Sequence, residues 1–506
     1  MEHSRVSRPS IPRSPQAGMT TLMVVGFTVV FMLILGTISS YALQQGRYGR
    51  ALFAGEQALH IAEAGLENFR WLIAHNTAAG GTIMSTGAGL SSLPTTYVVS
   101  DPEGGTVGSA TITATAALQC GRTQWVDLSS TGSASVDPTF KRTLLARYMR
   151  PSVGEYSNLL NSDVWAGSDR QITGPYFNNL GIRMDGTNNS TVSSAVSTWQ
   201  CSSSFGCSPT QTKAGVFGAG SGSALWLYPV QSIDFGSIST SFTNLETYAR
   251  ASGIFLSGTE TYVGNVKKGS TYSTVAKNEQ KGYHIIFQSN GTVRIYSVTA
   301  TSWNWSQHVD TGSTWLHDYY RIAAETELTG SPFTVPSGCA IIYSKARTWI
   351  EGTVLGKITV VAADADVSSP YNPDVLIPNN INYQTTDGTT GLTVIAENSI
   401  MYPENTPTVM SVRGTFVAQN GYYGRNLYDC EEAPYDKRTS LTLNGTIVSN
   451  KRVGTQWSYS SSYCPGANTS GFLNRYESYD RLQAFNPAPF TPGIGSDYLL
   501  QLWREQ

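Results

Sequence analysis

Few side chains in this 506-residue sequence stand at spacings that could do covalent chemistry. The six cysteines, Cys120, Cys201, Cys207, Cys339, Cys430 and Cys464, could bond to one another, hold zinc or act as nucleophiles. Their count is even and none lies in a CxxC or Cys/His spacing, so disulfides are the expected use and metal ligation is not. Cys201 and Cys207 close a loop short enough for direct pairing, and Cys430 with Cys464 flanks a polar insertion. Cys120 and Cys339 are then either joined across a domain boundary or free. Acid–base chemistry would need paired carboxylates. Asp364, Asp366 and Asp374 could supply them in a groove, or bind calcium, and solvated loop carboxylates are the ordinary alternative.

Other catalytic signals are thin. His3, His60, His75, His284, His308 and His317 are scattered and read as surface or packing residues. GxSxG and HExxH are absent. Gly352 to Lys357 is one residue short of a phosphate loop, and Ile358 stands where magnesium binding needs Ser or Thr. No cofactor is expected, calcium being the one candidate. Trp303, Trp305, Trp315 and Trp457 lie among Ser, Thr and Asn, a mixture that suits carbohydrate or cell-surface contact and equally suits core packing.

The element that positions everything else comes first in the chain. Met19 to Leu43 holds no charged residue and would reach roughly 37 Å as a helix, enough to cross a bilayer core of about 30 Å. Arg5, Arg8 and Arg13 precede it, so the positive-inside bias places residues 1–18 in the cytoplasm and the bulk of the chain outside. A cleaved secretory signal ending at Ser40-Tyr41-Ala42 is the alternative. Against it, the helical pattern continues: Leu52, Leu59, Leu66, Phe69 and Ile73 recur at spacings of seven or of three to four, giving one helix over 19–76 that is half apolar and half amphipathic.

Gly18 at the end of a short basic leader, the apolar run from Met19, and Ala62-Glu63-Ala64-Gly65-Leu66-Glu67 together resemble the type IV pilin superfamily, in particular PilX-type minor pilins. The resemblance implies a prepilin peptidase cutting between Gly18 and Met19, and other pilin or pseudopilin subunits as partners. Major pilins carry a Glu five residues into the mature chain, where it neutralises a neighbour's terminal ammonium. Here that position is Met23, which resembles the subunits at filament tips and disfavours repeated stacking in a shaft.

Composition supports an exported, β-rich remainder. Charged residues are 13% and the net charge is −2, so there is no basic footprint and no nucleic-acid partner is predicted. The 49 Gly and 27 Tyr fit many turns and strands. Residues 77–95 read as a connector. Period-two runs at Tyr97–Val99, Thr106–Leu118, Gln124–Ser135 and Arg142–Met149 predict an antiparallel sheet packed on the soluble half of the helix. Asn290-Gly291 predicts a hairpin turn, and 232–252 a short helix.

In the C-terminal third, Ile350-Glu351-Gly352-Thr353-Val354, Val412-Arg413-Gly414-Thr415-Phe416 and Leu443-Asn444-Gly445-Thr446-Ile447 share an apolar-x-Gly-Thr-apolar pattern. Short strands with a glycine corner predict a right-handed parallel β-helix, with a β-sandwich as the alternative. The tail from Tyr476 to Trp503 resembles the terminus of PilX-like proteins and is expected to cap the last turn.

The expected fold is therefore mixed and mostly β: a leader over 1–18, a helix over 19–76, a pilin-like head over 77–150, a β-rich middle over 151–335 and a β-helix-like domain over 336–506. The expected role is a non-enzymatic, single-pass surface protein, a tip or priming subunit of a type IV pilus or pseudopilus in assembly or adhesion, with the membrane and a host or surface polysaccharide among its partners. A β-helical carbohydrate-active enzyme is the alternative.

Overall fold

The computed structural model describes residues 17–75, 77–238, 241–258, 282–309, 315–365, 372–460, 464, 466, 468–495 and 497–506. The arginines before Gly18, together with His3 and Asp366, lie outside the described residues.

Helix α1 (Ala17–His75) runs unbroken for 59 residues with no proline to interrupt it. It is long and apolar enough near its start to cross a membrane. Residues 18 to 50 are exposed at every position. Below them one face turns inward: Ala54, Ala58, Ile61, Ala62, Leu66, Phe69 and Ile73 are buried at three- and four-residue intervals. They pack on an antiparallel sheet of β1 (Thr96–Ser100), β2 (Thr106–Gln119), β3 (Arg122–Ala134) and β4 (Asp137–Met149), whose Ile112, Val126, Leu128, Leu144 and Tyr148 complete the head core.

The sheet approaches α1 so closely that a Cβ on Gly132 would lie 1.9 Å from the Ala58 carbonyl oxygen, and one on Gly65 2.5 Å from Ser130 Oγ. The small residues of the Ala62–Gly65 stretch therefore have a packing reason: they let backbone pass over backbone.

Two features of the head differ from the sequence reading. The connector at 77–95 contains a helix, α2 (Thr77–Thr86), because Ile83 is fully buried against the sheet and this packing outweighs the cost of two helical glycines. The tail lies along the stack, where Gln483 Nε2 donates to Thr390 O at 2.7 Å, and its last segment then leaves for the head. Leu499–Glu505 forms a fifth strand antiparallel to β4, with Leu500 opposite Tyr148, and Arg142 Nη2 donates to Glu505 Oε2 at 2.6 Å. Tyr498 and Leu500 supply the apolar side that draws this strand onto the head core.

Beyond Met149 most strands pair in parallel. One ladder runs through Ile254–Leu256, Ile341–Ser344, Lys357–Ala362, Gly391–Ala396, the second halves of Val409–Ala418 and Lys437–Ser449, then Asn158–Leu160, Tyr176–Asn178, Val192–Ser194 and Trp226–Leu227. A second follows Gly282–Phe287, Arg347–Val354, Ile381–Tyr383, the first halves of the same two long strands, Asn468–Ser478, Arg170–Thr173 and Thr187–Asn188. Shorter strands form a third side. Side chains such as Ile182, Ile285, Ile350, Val394, Phe416 and Ile447 share one apolar core between the ladders.

Two of the three repeated glycines mark where the long strands pass from the second ladder to the first; Gly352 is out of register with them, pairing with Ile381 and through it aligning with Val412. Gly414 and Gly445, at φ 151° and 148°, are register partners, and a Cβ on Gly445 would meet the Gly414 carbonyl oxygen at 1.8 Å. Only glycine satisfies both conditions.

The stack is not built in chain order. The chain enters at the middle, where Asn158–Leu160 lies beside Ile447–Ser449, and builds outward to Trp226–Leu227. It then crosses the outer face of the first ladder, resumes at the far end with Ile254–Leu256, and builds back to its starting point. Ile238, Leu245 and Ala249 of the crossing segment pack on Tyr343, Val361, Ile395, Val417, Val448 and Leu159. The ladders consequently run across the boundary expected at 335/336.

Candidate functional site

Residues expected to matter for assembly lie at the start of α1. Met19 is 71% exposed and Met23 59%, on a stretch whose apolar side chains are exposed throughout. Gly18 is the second described residue of the helix, with open space around it. This half of α1 offers an apolar cylinder to lipid or to other helices. Farther along, half-buried Glu63 and exposed Glu67 pair with His60 and Arg70 at 3.1 and 3.3 Å.

The disulfides join Cys201 to Cys207, Cys430 to Cys464 and Cys120 to Cys339. The last clamps the tip of the β2–β3 hairpin to the stack. Cys120 N donates to Gly338 O at 2.7 Å, Gln119 Nε2 to Ser337 O at 3.1 Å, and Ala340 N to Gln119 Oε1 at 3.1 Å. With the returning C-terminal strand, this ties head and stack at two separate points.

The acid/base candidates read from sequence do not form a pair among the described residues. Asp364 sits 2.9 Å from Lys345 Nζ. Asp374 sits 3.2 Å from Arg347 Nη2 and accepts from Asn398 Nδ2 at 2.8 Å and Ser399 N at 3.2 Å, the bonding of a structural carboxylate. Each carboxylate is held by a separate cation.

A carboxylate cluster that sequence reasoning missed lies under the hairpin of Thr292–Gln307 and Trp315–Glu327. Asn304 Nδ2 donates to Glu404 and, at 2.8 Å, to Glu432 Oε2. Asp318 accepts from Tyr428 Oη at 2.6 Å. Arg425 and Arg438 donate to the backbone oxygen of Glu404 at 2.9 and 2.6 Å. Burial, reinforced by Asp318 and Glu432, pushes the Glu404 carboxyl up to about 7. Burial likewise raises Asp318 and Glu432. A carboxyl poised near neutrality has the acidity of a general acid, but the Glu404 side chain is only 3% exposed and is covered by Asn304. What the cluster does visibly is pin the hairpin to the stack. These residues share no spacing in the chain: Glu404 is 100 positions from Asn304 and Tyr428 is 110 from Asp318.

The tryptophans separate into two groups. Trp457 donates its Nε1 hydrogen to Arg425 O at 2.7 Å and packs on the cluster under the hairpin. Trp303 and Trp305 are 41% and 47% exposed, edge-to-face at 6.0 Å, with His317 stacked 3.7 Å from Trp303. Trp315 is half-buried.

No protein-family model matches this chain, and no curated protein matches it. Among solved structures, the competence-associated pilin ComZ from Thermus thermophilus matches with a TM-score of 0.29 and 11% identity, covering 90% of this chain and 98% of that one.

Proposed function

We propose that this chain is a pilin-like surface protein anchored by α1, acting as a minor, tip or priming subunit of a type IV pilus or pseudopilus. The observation that supports this reading is the division of α1 into an uncovered apolar half and a half that buries a single face beneath an antiparallel sheet. A simple anchor has no need of a continuous helix that also serves as the spine of a folded head. In this reading residues 1–18 are a cytoplasmic leader, a prepilin peptidase cuts after Gly18, and Met19 becomes the amino terminus. Other pilin subunits pack along residues 19–53. Met23 cannot neutralise a neighbour's terminal ammonium, which suits a subunit used once per filament rather than in its shaft.

The parallel ladders are read as a right-handed β-helix carried beyond the head, and adhesion as its use. Exposed Trp303 and Trp305 favour that use, since a saccharide ring can lie on an indole face.

Sequencing the amino terminus of the protein isolated from native membranes tests the reading. A chain starting at Met19, methylated, is the expected result. A start near Leu43 would make it a secreted soluble protein, and an intact Met1 a plain membrane-anchored ectodomain.

A further inference from the structure

A cleft of about 370 Å³ opens where the head, the crossing helix Phe242–Ser252 and the tail before Leu499 meet. The volume is at the small end of the range for ligand sites, roughly 300–1,000 Å³. Among the described residues lining it, Arg122 and Arg150 are the only charged ones.

Each guanidinium, on an exposed residue, lies near one ring of an aromatic pair. Arg122 lies 5.4 Å from the centre of the Tyr248 ring, which stacks on Phe490 at 5.6 Å. Arg150 lies 5.8 Å from Tyr498, which stacks on Tyr148 at 5.5 Å. At these distances the rings stand beside the guanidinium groups, whose planar N–H forks match a carboxylate. Nearby arginines are already neutralised: Arg147 donates to Asp127 at 2.7 Å and Arg142 to Glu505. Arg122 and Arg150 have no carboxylate partner among the described residues. Two solvent-accessible positive charges on one cleft, with no carboxylate partner among the described residues, favour an anionic ligand.

We infer that this cleft binds a carboxylate-bearing sugar of an acidic polysaccharide, with Arg122 and Arg150 taking the carboxylate. Aromatic rings alternate here with the hydroxyl and amide groups of Thr123, Ser241 and Asn244, a lining that matches a hydroxylated ring better than a peptide. The inference gives the adhesion reading a site and a ligand class, and rests on that reading for where the ligand would be met.

Full-length protein in detergent is titrated calorimetrically with oligogalacturonate, with the neutral oligogalactose of equal length and with a short polyglutamate peptide. Saturable binding of the oligogalacturonate alone is expected, weakening with added salt. Arg122→Gln and Arg150→Gln should each reduce affinity about tenfold, the loss of one charge-assisted hydrogen bond, at unchanged melting temperature. Arg122→Lys, which keeps the charge and loses the fork, should fall between. If a Gln variant melts lower, the Lys variant carries the comparison. Equal affinity for the neutral sugar, equal binding by all variants, or no binding at all would overturn the inference. Tighter binding of the peptide would replace the saccharide with a protein partner. None of these outcomes changes where the amino terminus lies, so the pilin reading stands or falls separately.

Discussion

The Asn161 side-chain amide donates to Asn450 Oδ1 at 2.8 Å across 289 residues of sequence, and Asn179 donates to Asn161 Oδ1 at 2.8 Å in the same way. Three asparagines on successive turns thus form one continuous column. The column passes through the point where the N-terminal part of the stack meets the C-terminal part. Beside it Arg170, 2% exposed, pairs with Glu477, which also accepts from Asn158 Nδ2 at 3.0 Å. Burial works to raise the Glu477 carboxyl, but Arg170, Arg475 and Asn158 together hold it below its ordinary value.

The seam should therefore be a stability determinant. Glu477→Ala leaves a buried guanidinium without its partner and should cost about 3–5 kcal/mol, whereas Asn161→Ala should cost about 1 kcal/mol. Thermal unfolding of the two variants checks the order. Equal effects would mean that the ion pair is not the element joining the two ends.

Removing the Cys120–Cys339 clamp should uncouple head from stack more than it unfolds either. A loop of this length gives an entropic stabilisation of roughly 5 kcal/mol in the chain model, and the returning C-terminal strand retains part of the constraint. The Cys120→Ser/Cys339→Ser protein should show two calorimetric transitions where the parent shows closer ones. A single, uniformly lowered transition would contradict this.

Along α1 the cost of truncation should change sharply with position. Leu66 is fully buried, so Leu66→Ala should lose about 3 kcal/mol, while Leu52→Ala, at a position 52% exposed, should lose less than about 0.5 kcal/mol in the isolated chain. Denaturation of the detergent-solubilised chain measures both.

Hairpin docking should weaken as pH rises. A carboxyl raised in the folded state favours folding while protonated, so the contribution of Glu404 is full below its ordinary value of 4.5 and is lost as pH climbs through about 7. Burial opposes protonation of His284, but hydrogen bonding to Glu351 and the nearby Glu325 prevail and raise it, so its contribution is also lost with rising pH. Amide exchange in 292–307 and 315–327, corrected for intrinsic rates, should be more protected near pH 5 than near pH 8. Glu404→Gln should flatten much of that difference, and an unaltered slope in the variant would remove Glu404 from the account.

What could be read from the chain alone was what depends on near neighbours. The lack of charge from Met19 to Leu43 and the spacing of Leu52, Leu59, Leu66, Phe69 and Ile73 sufficed for α1, because helical periodicity is local, although Leu52 itself is exposed rather than part of the buried face. Alternation over Thr106–Leu118 and Gln124–Ser135 sufficed for β2 and β3, and Asn290-Gly291 for the turn ahead of the hairpin. The Gly-Thr repeats marked three positive-φ positions, because such a φ leaves its mark on residue type, but only Gly414 and Gly445 are register partners.

The tertiary structure alone decided which distant segments meet. Nothing near Asn161 encodes Asn450, nothing near Cys120 encodes Cys339, and Asn304, Glu404 and Tyr428 acquire a shared site only when the hairpin folds over the stack. The last strand joins the head because Tyr498 and Leu500 find an apolar surface beside β4, while residues 483–491 before it bond to the stack. Such pairings rest on burial and hydrogen bonds between elements hundreds of residues apart. Local propensity and period carry no record of them, since the same asparagine, glutamate or cysteine would be equally at home on an exposed loop.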